Sequence, residues 1–420
     1  MKKISRVLLY VLVKSTLSFW PTIDAQPKCY KCQIIFDKNT NQKDTVDTSE
    51  ITSLSWHQVD PLLAAAHDNG QIDIGVFNNE KQTIQHKQTL TGHTNKVTCL
   101  AWNPRLAWLA SASFDKTIKF WIFNQETKKF ELNRELTGHT KQISAIAWHP
   151  TKKLFATTSR DKTINIYGYD EQNKDFKLLQ TLSTQNDQHT NWISAIAWHP
   201  TQAVLACAAY GTSGAIKLWK INESQSEFIL EQTLTINRPY ICSLEWHKTL
   251  PILLVGAGFS GFQTNNLEDM HIIKLLIYDS EKKRFVFSKT ITGHSGCVNA
   301  ATWYPDPDMP IFASGASDCI IGLWLYNAEK PKKSCYQSLI EHESGINALA
   351  WNPNTKYPIL VSGDGDGKVI AWYFKDDGTT PEHKKDTANI TTELTQKEKP
   401  ICDLIERFKK LKICDQKEQN

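Results

Sequence analysis

TGHTNKVTCLAWNPRLAWLASASFDKTIKFW, residues 91–121, is the stretch on which the reading turns. It opens on Gly92-His93, runs through apolar residues to Ala101-Trp102, turns at Asn103-Pro104, and ends, after an Asp in a tight turn, at Trp121. Residues 137–167, TGHTKQISAIAWHPTKKLFATTSRDKTINIY, repeat the order. Two copies at a fixed offset make the repeat, not the chain, the unit of folding.

The apolar-Trp step that closes the first run of each unit measures the period. It falls at Trp56, Trp102, Trp148, Trp198, Trp246, Trp303 and Trp351, at intervals of 46, 46, 50, 48, 57 and 48 residues. Seven units of this length fit four short strands each. Alternation inside a unit, as in Ile143 to Trp148, has the period of a strand, and turn residues break it every ~8–12 positions. Nothing between Asp47 and Lys375 has the pattern of a long helix.

Composition narrows the function classes. A net charge of +4 over 420 residues is too small to draw the chain to nucleic acid without a clustered basic face. Ten Cys are too sparse for a disulfide scaffold. Cys99, Cys207, Cys242 and Cys297 fall in expected strands, where a reduced thiol serves as a small apolar residue. Cys29-x-x-Cys32 lacks the second pair that a zinc site needs, which leaves a local disulfide or free thiols.

The ends differ from the repeats. Residues 1–25 have the layout of a secretory leader: Lys2 and Lys3, an apolar run from Val7 to Val13, and a cleavage position after Ala25. Lys14 and Ile23 run against that pattern, and the alternative is a cytoplasmic chain with a poorly ordered leader. The segment is too short and interrupted for a span of ~20 apolar residues. Residues 26–47 hold one short expected strand, Gln33 to Phe36. Residues 376–398 form a polar linker, and in residues 399–420 Ile401, Leu404, Ile405, Phe408 and Leu411 follow helical spacing.

With these motifs in place, the chain resembles the WD-repeat family, over roughly 330 of its 420 residues. Gly-His recurs at His93, His139 and His294, with His189 and His342 unmatched. A turn Asp stands six residues before the closing aromatic in Asp115/Trp121, Asp161/Tyr167, Asp318/Trp324 and Asp366/Trp372. The resemblance implies an all-β fold, a seven-bladed β-propeller over residues 48–375. It also implies that these His, Asp and Trp residues form buried hydrogen-bonded networks and have structural, not catalytic, roles. A unit of this size cannot bury both faces alone, so blades must stack and the ring must close. In the family the N-terminal segment often supplies the closing strand, and Gln33 to Phe36 is the candidate to pair with Val369 to Tyr373.

Motifs of chemistry are weak. Gly256-Ala-Gly258-Phe-Ser-Gly261 is not followed by the helix that a dinucleotide fingerprint requires. Asp364-Gly-Asp366-Gly-Lys lacks the remaining ligands of a calcium loop. We therefore expect no enzyme, cofactor or metal. The resemblance places the residue six before each marker Trp on the rim of one face: Glu50, Lys96, Gln142, Trp192, Tyr240, Cys297 and Gly345. Phe114 and Arg160, which precede turn Asp residues, and Tyr210 face the same side. Trp192, Tyr240, Arg160, Phe114, Tyr210 and Lys96, beside a long loop from Gly258 to His271, are the expected partner-binding residues, because exposed Trp, Tyr and Arg dominate interface energetics. Blades six, seven and one present Glu341, Glu343, Asp364 and Glu50, a more acidic side. The expected function is a scaffold for a protein or peptide. The alternatives are an exported protein that binds a host or surface ligand, and a propeller-type enzyme subunit.

Overall fold

The computed structural model describes residues 49–374, apart from 79–82, 184–191, 210–213, 223–226, 237–239, 259–270, 310, 327–334 and 354–357, together with the backbone of residues 29–34. Its strands run from β1 (Cys29–Ile34) to β28 (Val369–Phe374) and make seven four-stranded antiparallel sheets. Each sheet is one blade of a β-propeller. The innermost strand of each ends on a marker Trp: β2 (Ile51–Trp56), β6 (Val97–Trp102), β10 (Ile143–Trp148), β14 (Ile193–Trp198), β18 (Tyr240–Trp246), β22 (Val298–Trp303) and β26 (Ile346–Trp351). Neighbouring inner strands touch around the whole ring, β26 against β2 included.

The core lies between blades. Seven apolar clusters each draw on two adjacent sheets, such as Ala110, Phe120 and Phe155 with Trp148 at the joint of blades two and three. Single faces cannot be satisfied alone, and this is what forces the units to stack. Marker indoles tie the joints further: the Nε1–H groups of Trp102, Trp148, Trp198, Trp246 and Trp303 donate to a backbone carbonyl of the preceding blade at 3.0–3.3 Å.

Closure is antiparallel pairing of β1 with β28, from Cys29 opposite Phe374 to Ile34 opposite Val369. The strand therefore starts four residues before the expected Gln33 to Phe36. Ile34 sits opposite Val369, the first residue of β28, and positions 35 and 36 lie outside the described residues. Residues 1–25, the linker and the expected C-terminal helix lie outside the described residues.

Gly256 and Gly258 belong to β19 (Ile252–Gly258), not to a phosphate-binding turn. A Cβ on Gly256 would stand 2.5 Å from Ser243 Oγ, and one on Gly258 would stand 2.4 Å from Cys297 Cα. Glycine is there to let sheets approach.

At the end of the ring where inner strands finish, His149, His199 and His247 follow marker Trp residues and are buried. In each, Nδ1 accepts backbone N–H groups of the following turn, for instance from Thr151 and Lys152 at 3.1 Å. Each ring packs on the marker Trp of the next blade with centroids 4.7–4.8 Å apart. Burial lowers all three imidazole pKa values to about 4. Above pH ~6.5 neither folded nor unfolded chain protonates them, and their full stability is present. As pH falls from ~6.5 toward 4 the unfolded chain takes up protons that the fold refuses, removing up to about 1.4 kcal/mol per pH unit for each ring. Glu245 opposes this, because burial pushes its carboxyl up to about 7 and favours the fold at lower pH. One acid against three imidazoles leaves the sign with the histidines. The melting temperature should fall steadily between pH 7 and 4.5, and a flat profile would rule out neutral buried rings.

Candidate functional site

Among the described residues, four blades carry a buried polar network at the end where inner strands begin. In blade two, Asp115 Oδ2 lies 2.7 Å from His93 Nδ1, His93 Nε2 lies 2.7 Å from Ser111 Oγ, and Trp121 Nε1 donates to Ser111 Oγ at 2.9 Å. Blade six repeats it with Asp318, His294, Ser314 and Trp324. Blade three uses Asp161, His139 and Thr157, with Tyr167 in the indole position. Burial works against ionisation of Asp115 and Asp161, yet hydrogen bonds from the His and the following Thr hold both carboxyls well below the usual range. A carboxylate held so firmly as an anion does not donate a proton near neutral pH.

Blade seven departs from expectation. His342 Nδ1 bonds Asp364 Oδ2 at 2.6 Å, and Asp366 is exposed. Asp366 does hold the position of Asp115, four residues after the serine that binds the indole, Ser362. Asp364 holds the position of Ser113, and its longer side chain reaches the imidazole first. It also accepts the backbone N–H of Asp366 at 3.0 Å, as Ser113 Oγ accepts that of Asp115. Asp364 is thus withdrawn from the acidic surface, and Asp366 takes its place there.

Blade one replaces the network altogether. Buried Asp73 lies 3.0 Å from His67 Nε2 and 3.1 Å from His86 Nε2.

The same end of the ring holds the expected binding residues. The turn joining the second and third strands is pinned to the rim: Phe114 N donates to Lys96 O and Arg160 N to Gln142 O, both at 2.9 Å. That puts Phe114 and Arg160 level with the rim positions. The Arg160 guanidinium carbon stands 4.5 Å from the Phe114 ring centre and 4.7 Å from that of Trp192. Phe114 comes from blade two, Arg160 from blade three and Trp192 from the start of blade four, and all three are half-buried. Two aromatic faces hold the cation by stacking, while its N–H edges stay available for hydrogen bonding.

Tyr240 stands half-buried at the next rim position, in blade five. Lys96 does not join the cluster: Nζ meets Glu50 Oε2 at 2.8 Å, and Glu50 Oε1 accepts Asn347 Nδ2 at 3.0 Å, so polar side chains of blades seven, one and two are tied together. Tyr210 and residues 259–270 lie outside the described residues. Exposed Lys116 and Lys141 flank Arg160, whereas exposed Asp68, Glu341, Glu343 and Asp366 stand on blades one and seven. The face is polarised.

Two features escaped the sequence reading. Glu245 is a lone carboxyl in a position that holds Ser55, Ala101, Ala147 and Ala197 in blades one to four, and that contrast was its available signal. Cys242 and Cys297 meet across a blade joint, Sγ to Sγ 3.4 Å. Among the described residues no group of His, Cys, Asp and Glu is arranged to hold a metal, and no helix is long and apolar enough to cross a membrane.

A closed seven-bladed ring with a rim of half-buried aromatics around an arginine defines a β-propeller of the type that generally serves as a protein-interaction scaffold and is typically non-enzymatic. The profile "WD domain, G-beta repeat" matches residues 84–121, 130–168, 176–220, 285–324 and 333–373, and the chain belongs to the WD-repeat family. Each match takes the outer strand of one blade with three strands of the next. The inner three strands of blades one and five are left unmatched. No curated protein matches the sequence.

Proposed function

We propose that the protein is a non-catalytic scaffold that seats a protein or peptide partner over the rim formed by Phe114, Arg160, Trp192 and Tyr240. The observation that carries this reading is the Arg160 sandwich, built by three blades on the end of a rigid ring. A guanidinium held in place in advance loses little freedom on binding, and Arg and Trp are the residue types on which interface energy concentrates. With Lys116 and Lys141 beside it, the cluster suits an acidic segment of the partner, in preference to the opposite, acidic side of the same face.

Arg160→Ala combined with Trp192→Ala is expected to weaken partner binding at least tenfold, or about 1.4 kcal/mol, without changing the melting temperature by more than a few degrees. Quantitative affinity capture with matched inputs checks this. Equal recovery of every partner by variant and wild type would sink the assignment.

A further inference from the structure

One position makes a clasp to the next blade at each joint, four residues before the marker Trp. Thr52 Oγ1 donates to Val97 O at 2.5 Å, Thr98 Oγ1 to Ile143 O at 2.9 Å, Ser144 Oγ to Ile193 O, and Ser194 Oγ to Ile241 O at 2.6 Å. Asn299 Nδ2 donates to Ile346 O at 2.9 Å, and Asn347 Nδ2 to Glu50 Oε1 at 3.0 Å. In blade five that position is Cys242, and what it meets is the Cys297 thiol of blade six, Sγ to Sγ 3.4 Å.

We propose that Cys242 and Cys297 are a covalent modification site, a thiol pair that a disulfide-class oxidant such as oxidised glutathione converts into a reversible staple between blades five and six. The sulfurs need to approach by only about 1.4 Å to reach bonding distance, a movement within the reach of side-chain rotation. The site is shaped for the pair, since β19 carries Gly258 where a Cβ would stand 2.5 Å from Cys297 Sγ. Both residues are half-buried.

The hydrogen bond from Cys242 lowers the pKa of Cys297, while the same contact and burial raise that of Cys242, so Cys297 is the attacking group. Its thiolate attacks one sulfur of oxidised glutathione and displaces a glutathione thiolate. Cys242, losing its proton, then attacks Cys297 Sγ in the mixed disulfide and expels the second glutathione. Two electrons pass to the oxidant, and the two thiol protons end on two glutathione molecules. Cys207 does not compete, because full burial pushes its pKa up to about 11.

The test is to expose the full chain to oxidised glutathione, block free thiols and map linked peptides without reduction. A Cys242–Cys297 link, a melting temperature raised by a few degrees, and reversal by dithiothreitol are expected. Cys242→Ser supplies the hydroxyl that clasps the joints following blades one to four, so it should melt near the reduced wild type and gain nothing from oxidant. Should Cys297 stop at the mixed disulfide, should the pair stay reduced while other thiols react, or should either Cys link elsewhere, the proposal is overturned. The peptide map of the wild type decides this even if the variant folds poorly.

Discussion

A chain lacking residues 1–34 is expected to lose cooperative unfolding and to melt on the order of 10 °C lower than the full chain. The six-residue ladder from Cys29 to Ile34 is the outer strand of blade seven. Its hydrogen bonds contribute about 1 kcal/mol each, and removal also bares the edge of β28, so the loss is on the order of 5 kcal/mol. That is a large share of the ~5–15 kcal/mol by which folded domains are stable. Calorimetry of both chains reads the effect, and a synthetic peptide of residues 26–38 should restore the transition in proportion to its concentration. Unchanged melting would mean that the ring does not depend on this strand.

Asp364→Ala should destabilise the protein by about 3 kcal/mol, while Asp366→Ala should change stability by less than about 0.5 kcal/mol. Asp364 is buried between His342 and the backbone N–H groups of Asp366 and Lys368. Its loss leaves a buried imidazole without its acceptor and a turn without its brace, a cost that an exposed carboxylate does not carry. Denaturant titrations of the two variants measure the contrast. Equal effects, or the reverse order, would contradict the network in blade seven.

These residues show how far the fold could be read. The marker Trp ladder is a one-dimensional signal, because each indole closes an inner strand and recurs once per blade; it sufficed for seven blades and a closed ring. Asp366 was misassigned for a definite reason. Spacing from Trp372 selects it, but the choice between two carboxylates depends on which one reaches His342. The closing strand starts four residues earlier than its local pattern suggests, because its start depends on pairing with β28, which the N-terminal segment does not encode.

The site was legible only in its residue types. That Trp192, Arg160 and Phe114 belong to one rim follows from the repeat, whereas the stacking of one guanidinium between two rings depends on turns from separate blades. Cys242 read as a small apolar residue, since its contact lies 55 positions away. Glu245 was visible only as an exception in a row of small residues.

The most direct measurement of the docking face is site-specific photo-crosslinking. A benzophenone side chain at Gln142, beside Arg160 on the rim, is compared with one at Lys128, in an exposed turn at the opposite end of the ring. The account predicts partner adducts from position 142 that disappear with Arg160→Ala, and none from position 128. Adducts from position 128 alone, or adducts from 142 indifferent to Arg160, would contradict it.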